Sequence, residues 1–225
     1  MRSINNPVHA VLLRDVVPVC VAYTLVGLSF GAIATSSGVP LAVPIVLSLL
    51  VFAGSAQFAA VGIVLAGGSA AAAIVTGLMI NARLMAYGFA VRDALGRSLC
   101  RRLLSAHLMT DVNTAIALQQ DQPAHRRALF WQSGMAIFIV WNLAVAAGGI
   151  AGRHIADANA FGLDAALPAI LFALIRPNLT DSATQRACAL GSVTTLVTIP
   201  VLPPGLPVVS SVMGLLACIG VRASD

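Results

Sequence analysis

Apolar residues run along this chain in long blocks separated by short polar stretches. The blocks lie at about Val16–Ser36, Leu41–Gly67, Ala70–Val91, Leu103–Leu118, Leu129–Gly152, Leu163–Ile175, Ala187–Leu202 and Pro207–Val221. They show no period-2 alternation, so strands of a membrane barrel are not expected. Blocks of about 20 apolar residues predict helices long enough to cross a bilayer. Leu163–Ile175 and the last two blocks are shorter, which suits tilted spans or half-helices.

The arginines restrict how these blocks cross. Basic residues cluster at Arg2 and Arg14, from Arg92 to Arg102, at Arg126 with Arg127, at Arg176 with Arg186, and at Arg222. The positive-inside rule puts these clusters in the cytoplasm, with the N-terminus, and leaves Arg153 as the lone loop arginine for the other side. Two conflicts follow. Three blocks, an odd number, separate Arg14 from Arg92, and a single block separates Arg102 from Arg127. Both vanish if Leu41–Gly67 bends near Gly54–Gln57 and Leu103–Leu118 bends near Thr110–Asp111, each re-entering or breaking instead of crossing. Broken helices are tolerated at membrane depth only where protein or a water-filled cavity satisfies the freed backbone groups. In transporters their ends face substrate or ions. The expected fold is therefore all-α, a polytopic inner-membrane bundle of six crossings with two broken or re-entrant helices; seven crossings is the alternative. Residues 1–15 are expected to be a cytoplasmic segment, 16–222 one membrane transporter domain and 223–225 a short tail.

Composition agrees. Of 225 residues, 59% are hydrophobic and only 9% charged, against about 25% charged in soluble domains. The lipid bilayer is thus the expected surrounding. The net charge of +5 comes from 13 arginines against 8 aspartates, without a lysine or glutamate. Codon bias accounts for that restriction better than a nucleic-acid partner does. Cys20, Cys100, Cys188 and Cys218 show no metal or disulfide spacing, so neither a metal nor a cofactor is expected. The N-terminal apolar run is too short for a cleavable signal. A nucleophile with its base is not visible, and no catalytic residue is expected.

Three stretches could carry chemistry. In "FAGSAQF", Gly54 weakens the helix while Ser55 and Gln57 bring donors and acceptors into an apolar run. Close helix packing accounts for the small residues equally well. In "NARLMAY", Arg83 lies deep in its block, where an arginine costs at least about 2.5–3.5 kcal/mol. Asn81 and Tyr87 are its polar neighbours, Tyr87 one turn away on the same face; pairing with carbonyls or with Asp111 would make Arg83 structural. In "HLMTDVN", Asp111 is the only aspartate well inside an apolar block. It could exchange a proton or hold an ammonium group. Thr110 or Asp111 could equally cap the helix that follows. His107 is expected to be interfacial. The Gly27 and Gly31 spacing in "VGLSFGA" reads as helix packing, and Pro168 as a first helical turn or kink.

Taken in order, "FAGSAQFAAVGIVLAGGS", "NARLMAYGFAVRD", "LMTDVNTA" and "GLDAALPAILFAL" resemble the AzlC family, over roughly residues 15 to 220. These are large subunits of bacterial branched-chain amino-acid exporters, linked to azaleucine resistance, that usually work with a small AzlD-like membrane subunit. Two positions depart from the family pattern. Leu84 stands where a histidine commonly follows the arginine, and Val112 where a glutamate commonly follows the aspartate. The resemblance implies a secondary transporter of zwitterionic aliphatic amino acids. It implies a substrate site drawn from Gly54, Ser55, Gln57, Asn81, Arg83, Tyr87, Thr110 and Asp111, with Asp111 the candidate for proton coupling. The competing reading is a pore-forming or structural subunit in which Arg83 and Asp111 neutralise each other.

Overall fold

The computed structural model describes residues 11–96, 98–154, 179–180, 182–202 and 206–215. The expected segment Leu163–Ile175 with Pro168, the tail and most of the N-terminal segment lie outside these residues. Among the described residues the regular elements are all helical. A π-turn, Leu12–Val16, leads into α1 (Val17–Ser36). Then follow α2 (Ala42–Leu50), α3 (Gly54–Leu65), α4 (Ala70–Asn81), α5 (Arg83–Ala90), α6 (Leu99–His107), α7 (Asp111–Leu118), α8 (Pro123–Gly152), α9 (Ser182–Thr198) and α10 (Leu206–Ser210) with a 3₁₀ turn Ser211–Leu215. Among the described residues three helical stretches are long and apolar enough to span a membrane: Leu12–Ser36, Ala70–Ala90 and Pro123–Gly152. The all-α membrane bundle expected from the sequence is thus the observed class.

The chain forms two compact units. The first takes residues 11–54 and 81–154 of those described, and the second takes the remainder. Gly54 and Asn81, at the ends of α3 and α4, belong to the first.

The first unit is built on α1 and α8. At about 1.5 Å per residue, the 30 residues of α8 reach about 45 Å, beyond the hydrocarbon core. It starts six residues before its apolar block because Pro123 suits a first helical turn, where a missing N–H is harmless. The two helices meet backbone to backbone. A Cβ on Gly27 would come within 2.9 Å of Ala144 Cβ, one on Gly31 would strike Val145 and Gly149, and one on Gly148 would strike the Leu28 carbonyl. Thr35 Oγ1 donates to the Gly149 carbonyl at 2.9 Å. The packing expected of Gly27 and Gly31 is what they do. Phe30 stacks on Trp141 with ring centroids 6.2 Å apart, and Trp141 and Val145 border Gly27 and Gly31 in the seam. Gly38, with φ at +90°, ends α1, and the N–H groups of Ser37, Gly38 and Val39 return to carbonyls of its last turn.

Helices α2 and α7 flank this pair. Ser48 Oγ donates to Asn142 Oδ1 on α8 at 2.7 Å. From α7, Ile116 packs with Val16 and Leu129. Ala117 joins Val91, Ala94, Met109 and Phe130 in a second cluster.

In the second unit, Ile63 of α3 packs on Ala72 and Ala73 of α4. Helix α9 lies against the 3₁₀ turn, where a Cβ on Gly191 would come within 2.8 Å of the Ser211 carbonyl. The Thr198 and Ser210 hydroxyls meet at 3.0 Å.

Candidate functional site

Both expected interruptions occur. The Leu41–Gly67 block divides into α2 and α3 with Val51–Ala53 between them, just ahead of Gly54. The Leu103–Leu118 block divides into α6 and α7, with Leu108–Thr110 between them. A third interruption has no counterpart in the apolar pattern. The Ala70–Val91 block gives α4 and α5 with Ala82 as a one-residue joint, where Met85 N–H reaches the Ala82 carbonyl at 3.1 Å. Ala82 keeps helical dihedrals, so the joint is slight, and Arg83 opens the second piece.

At the second interruption the sequence dictates the geometry closely. Thr110 adopts extended dihedrals and its hydroxyl accepts the Asn113 N–H at 3.2 Å. Asn113 Oδ1 accepts the Thr110 N–H at 2.8 Å, closing a reciprocal capping box. Asn113 Nδ2 also donates to the Leu108 carbonyl at 2.9 Å. One buried amide therefore ties both sides of the break. It fits because α8 offers a glycine there: a Cβ on Gly134 would sit 2.7 Å from Asn113 Nδ2. Of the two expected caps, Thr110 is the N-cap and Asp111 is the first helical residue. Asp111 Oδ1 accepts its neighbour's N–H, from Val112 at 3.2 Å.

Arg83 and Asp111 meet across this point. Arg83 Nη1 lies 3.5 Å from Asp111 Oδ2, with the side chains 44% and 43% exposed. That distance is an ion pair without a short hydrogen bond. A carboxylate at the first turn of α7 also faces the positive end of the helix. Tyr23 of α1 borders the group: its hydroxyl lies within reach of Thr110 and in the field of Asp111 and Arg83. Thr114, one turn along α7, is buried, and its hydroxyl has no hydrogen-bond partner among the described residues.

Gly54 is held for a different reason. A Cβ there would lie 3.0 Å from Trp141 Cη2. The Trp141 indole sits edge-on to Tyr23, with ring centroids 5.8 Å apart. The glycine at the first break thus seats a tryptophan that touches the tyrosine of the charged group. His107, at the end of α6, packs its ring against Phe138 at 5.5 Å and Phe52 at 6.4 Å.

Of the residues that the sequence puts forward, Arg83, Thr110 and Asp111 come together in the first unit. Gly54 reaches them through Trp141 and Tyr23. Tyr87 packs with Leu84 on the Val91, Met109 and Phe130 cluster, and Asn81 closes α4. Ser55 and Gln57 belong to the second unit, where Gln57 is buried. Tyr23, Asn113 and Trp141 join the site from the structure alone. For Asn113 a signal exists, since Thr110-x-x-Asn113 has capping-box spacing with an amide in the position usual for Glu or Gln. Among the described residues there is no group of three His, Cys or Asp side chains that could hold a metal.

Long apolar helices, glycine seams and a charged pair at a helix break define a polytopic helical membrane protein. The chain belongs to the AzlC family: residues 18–155 match the AzlC protein family. It is 26% identical over 160 residues to the "Branched-chain amino acid transport protein AzlC" of Bacillus subtilis, a match that covers 70% of this chain and 63% of that one. It is 22% identical to an "Uncharacterized membrane protein" of Helicobacter pylori, over 80% of both chains. A Haemophilus influenzae protein of the same description is 22% identical over 78% of this chain and 72% of its own. No solved structure matches.

Proposed function

We propose that this chain is the large subunit of a secondary transporter that exports branched-chain or similar small apolar amino acids across a bacterial inner membrane. It would work with a small AzlD-like partner and keep its N-terminus in the cytoplasm. The observation that carries the reading is the half-exposed Arg83–Asp111 pair at the start of α7. Charged side chains this exposed would be costly against lipid, so a pair in this place belongs beside water or a polar ligand. A zwitterion fits. Its carboxylate takes the planar guanidinium of Arg83, and its ammonium takes Asp111. The ion pair itself, at 3.5 Å and half exposed, is of the kind that contributes only about 0–1 kcal/mol in water. Tyr23 and Thr110 supply hydroxyls beside both charges. Family membership and the description of the Bacillus subtilis relative as a branched-chain amino acid transport protein support the substrate class.

The test is efflux of isotopically labelled leucine from loaded cells, with and without the chain and its small neighbour. Arg83→Lys keeps the charge and loses the fork, so efflux should fall while membrane insertion persists. Normal efflux by a folded Arg83→Gln protein would exclude substrate contact by Arg83. The same pairing also suits a structural subunit in which the two charges merely neutralise each other. That reading expects no efflux difference at all when the chain is removed.

A further inference from the structure

The hydroxyl of Thr114 differs from those on the long helices of the first unit. On α1 and α8, Thr24, Ser29, Thr35 and Ser133 each donate to the carbonyl four residues earlier, the usual resting place of a helical hydroxyl. For Thr114 that carbonyl belongs to Thr110, which accepts the Thr114 N–H at 3.2 Å. The Thr114 hydroxyl nevertheless has no partner among the described residues, although the residue is only 2% exposed. A buried hydroxyl without a partner costs stability, and a methyl in its place would not. The fold in this state gains nothing from that oxygen.

Its neighbours give it a use. Thr114 lies three residues after Asp111 and four after Thr110, so it adjoins both on the surface of α7. Helical side chains lean toward the N-terminus, which brings Thr114 toward the turn that carries the charge. Helix α5 runs over the same stretch. Arg83 meets Asp111 at 3.5 Å, and Leu84 and Tyr87 pack on the cluster that contains Ala117, three residues beyond Thr114. Thr114 therefore lies under the short helix that begins just after the Ala82 joint.

We propose that Thr114 is a further substrate-binding residue, specific for a primary ammonium group. When a zwitterion replaces the Arg83–Asp111 contact, α5 parts from α7, and the uncovered Thr114 hydroxyl accepts one ammonium N–H beside the Asp111 carboxylate. This rests on the transporter reading given above. The ammonium is the group concerned because Asp111 repels a substrate carboxylate from the same place. An ammonium also carries three donors, more than one carboxylate meets from a single side.

The experiment uses vesicles holding the full chain with its small neighbour, and follows exchange of labelled leucine against leucine concentration. Thr114→Val keeps the shape and removes the oxygen. Its Tm in detergent should equal or exceed that of the unaltered protein, while half-saturation by leucine should rise at least about tenfold, the loss of one hydrogen bond to a charged group. The maximal rate should change less. Thr114→Ser should recover most of the affinity. Inhibition by 4-methyl-2-oxopentanoate, which has a keto oxygen in place of the ammonium, should be the same for Thr114→Val as for the unaltered protein. A Thr114→Val protein with a lower Tm overturns the proposal, because the hydroxyl would then support the fold. So does unchanged half-saturation, a Ser variant as weak as Val, or an equal loss toward the oxo acid. If the unaltered protein exchanges no leucine, the transporter reading fails and takes the proposal with it; normal exchange by both the unaltered protein and Thr114→Val overturns the proposal alone.

Discussion

The two long interruptions in the first unit are held open by opposite chemistry. Between α6 and α7 the backbone is fixed by polar groups: Thr110 and Asn113 exchange hydrogen bonds, and Asn113 reaches back to Leu108. Between α2 and α3 the fixings are rings. Phe52 lies edge-on to Phe138 at 5.1 Å, and Trp141 rests on Gly54. A hydrogen-bonded break is directional and has one geometry, whereas a ring-packed break is set by volume and can shift with its neighbours. The polar break also carries the charged pair. The fixed side therefore presents the charges, and the packed side reaches them through Trp141 and Tyr23.

The largest effect is expected from removing the amide. Asn113→Leu leaves the Thr110 N–H and the Leu108 carbonyl buried without partners, at about 1–3 kcal/mol each. Thermal unfolding in detergent should show a loss of several degrees or failure to fold. An unchanged Tm would mean the amide does not hold the break. Next comes the ring-packed side. Gly54→Ala places a methyl 3.0 Å from Trp141, and overpacking of that kind costs about 1–3 kcal/mol. Because Trp141 touches Tyr23, amino-acid efflux should fall further than stability does; equal losses would sever the link between the two breaks. Thr110→Ala should cost about 1 kcal/mol by loss of the cap, and Thr110→Ser close to nothing. If Ser behaves like Ala, the hydroxyl is not the element that matters. The smallest effect on stability is expected at Asp111→Asn, within about 1 kcal/mol, since Asn suits the first turn and the ion pair is half exposed. Yet if Asp111 couples protons, pH-driven accumulation should vanish while substrate exchange survives. A role at the substrate ammonium would remove both, and normal pH-driven transport would exclude either role.

The features legible in the sequence are those that break an apolar pattern. Gly54 and the Thr110–Asp111 pair interrupt long lipophilic runs, and the parity of the arginine clusters requires an interruption near each. The helix-packing glycines of α1 are likewise visible, because small residues four apart are what close helix contact in a membrane needs. Tyr23 and Trp141 are not legible in this way. Their importance arises where α1 and α8 meet, and a lone aromatic in an apolar block carries no trace of a neighbour more than a hundred residues away. Gly54 shows the same limit. Its sequence surroundings suit a ligand site and helix packing equally, and the packing partner is a tryptophan that also borders the charged group. At Ala82 the local dihedrals stay helical, so nothing in the residue itself announces the joint.

The glycine seam has a mechanical consequence. Gly31, Gly148, Gly149 and Gly152 interlock with the opposite backbone so closely that sliding α1 along α8 by one residue would drive a side chain into a carbonyl. This pair is a keel: it cannot ratchet, and whatever rearrangement the protein undergoes must be borne by the short pieces around the breaks.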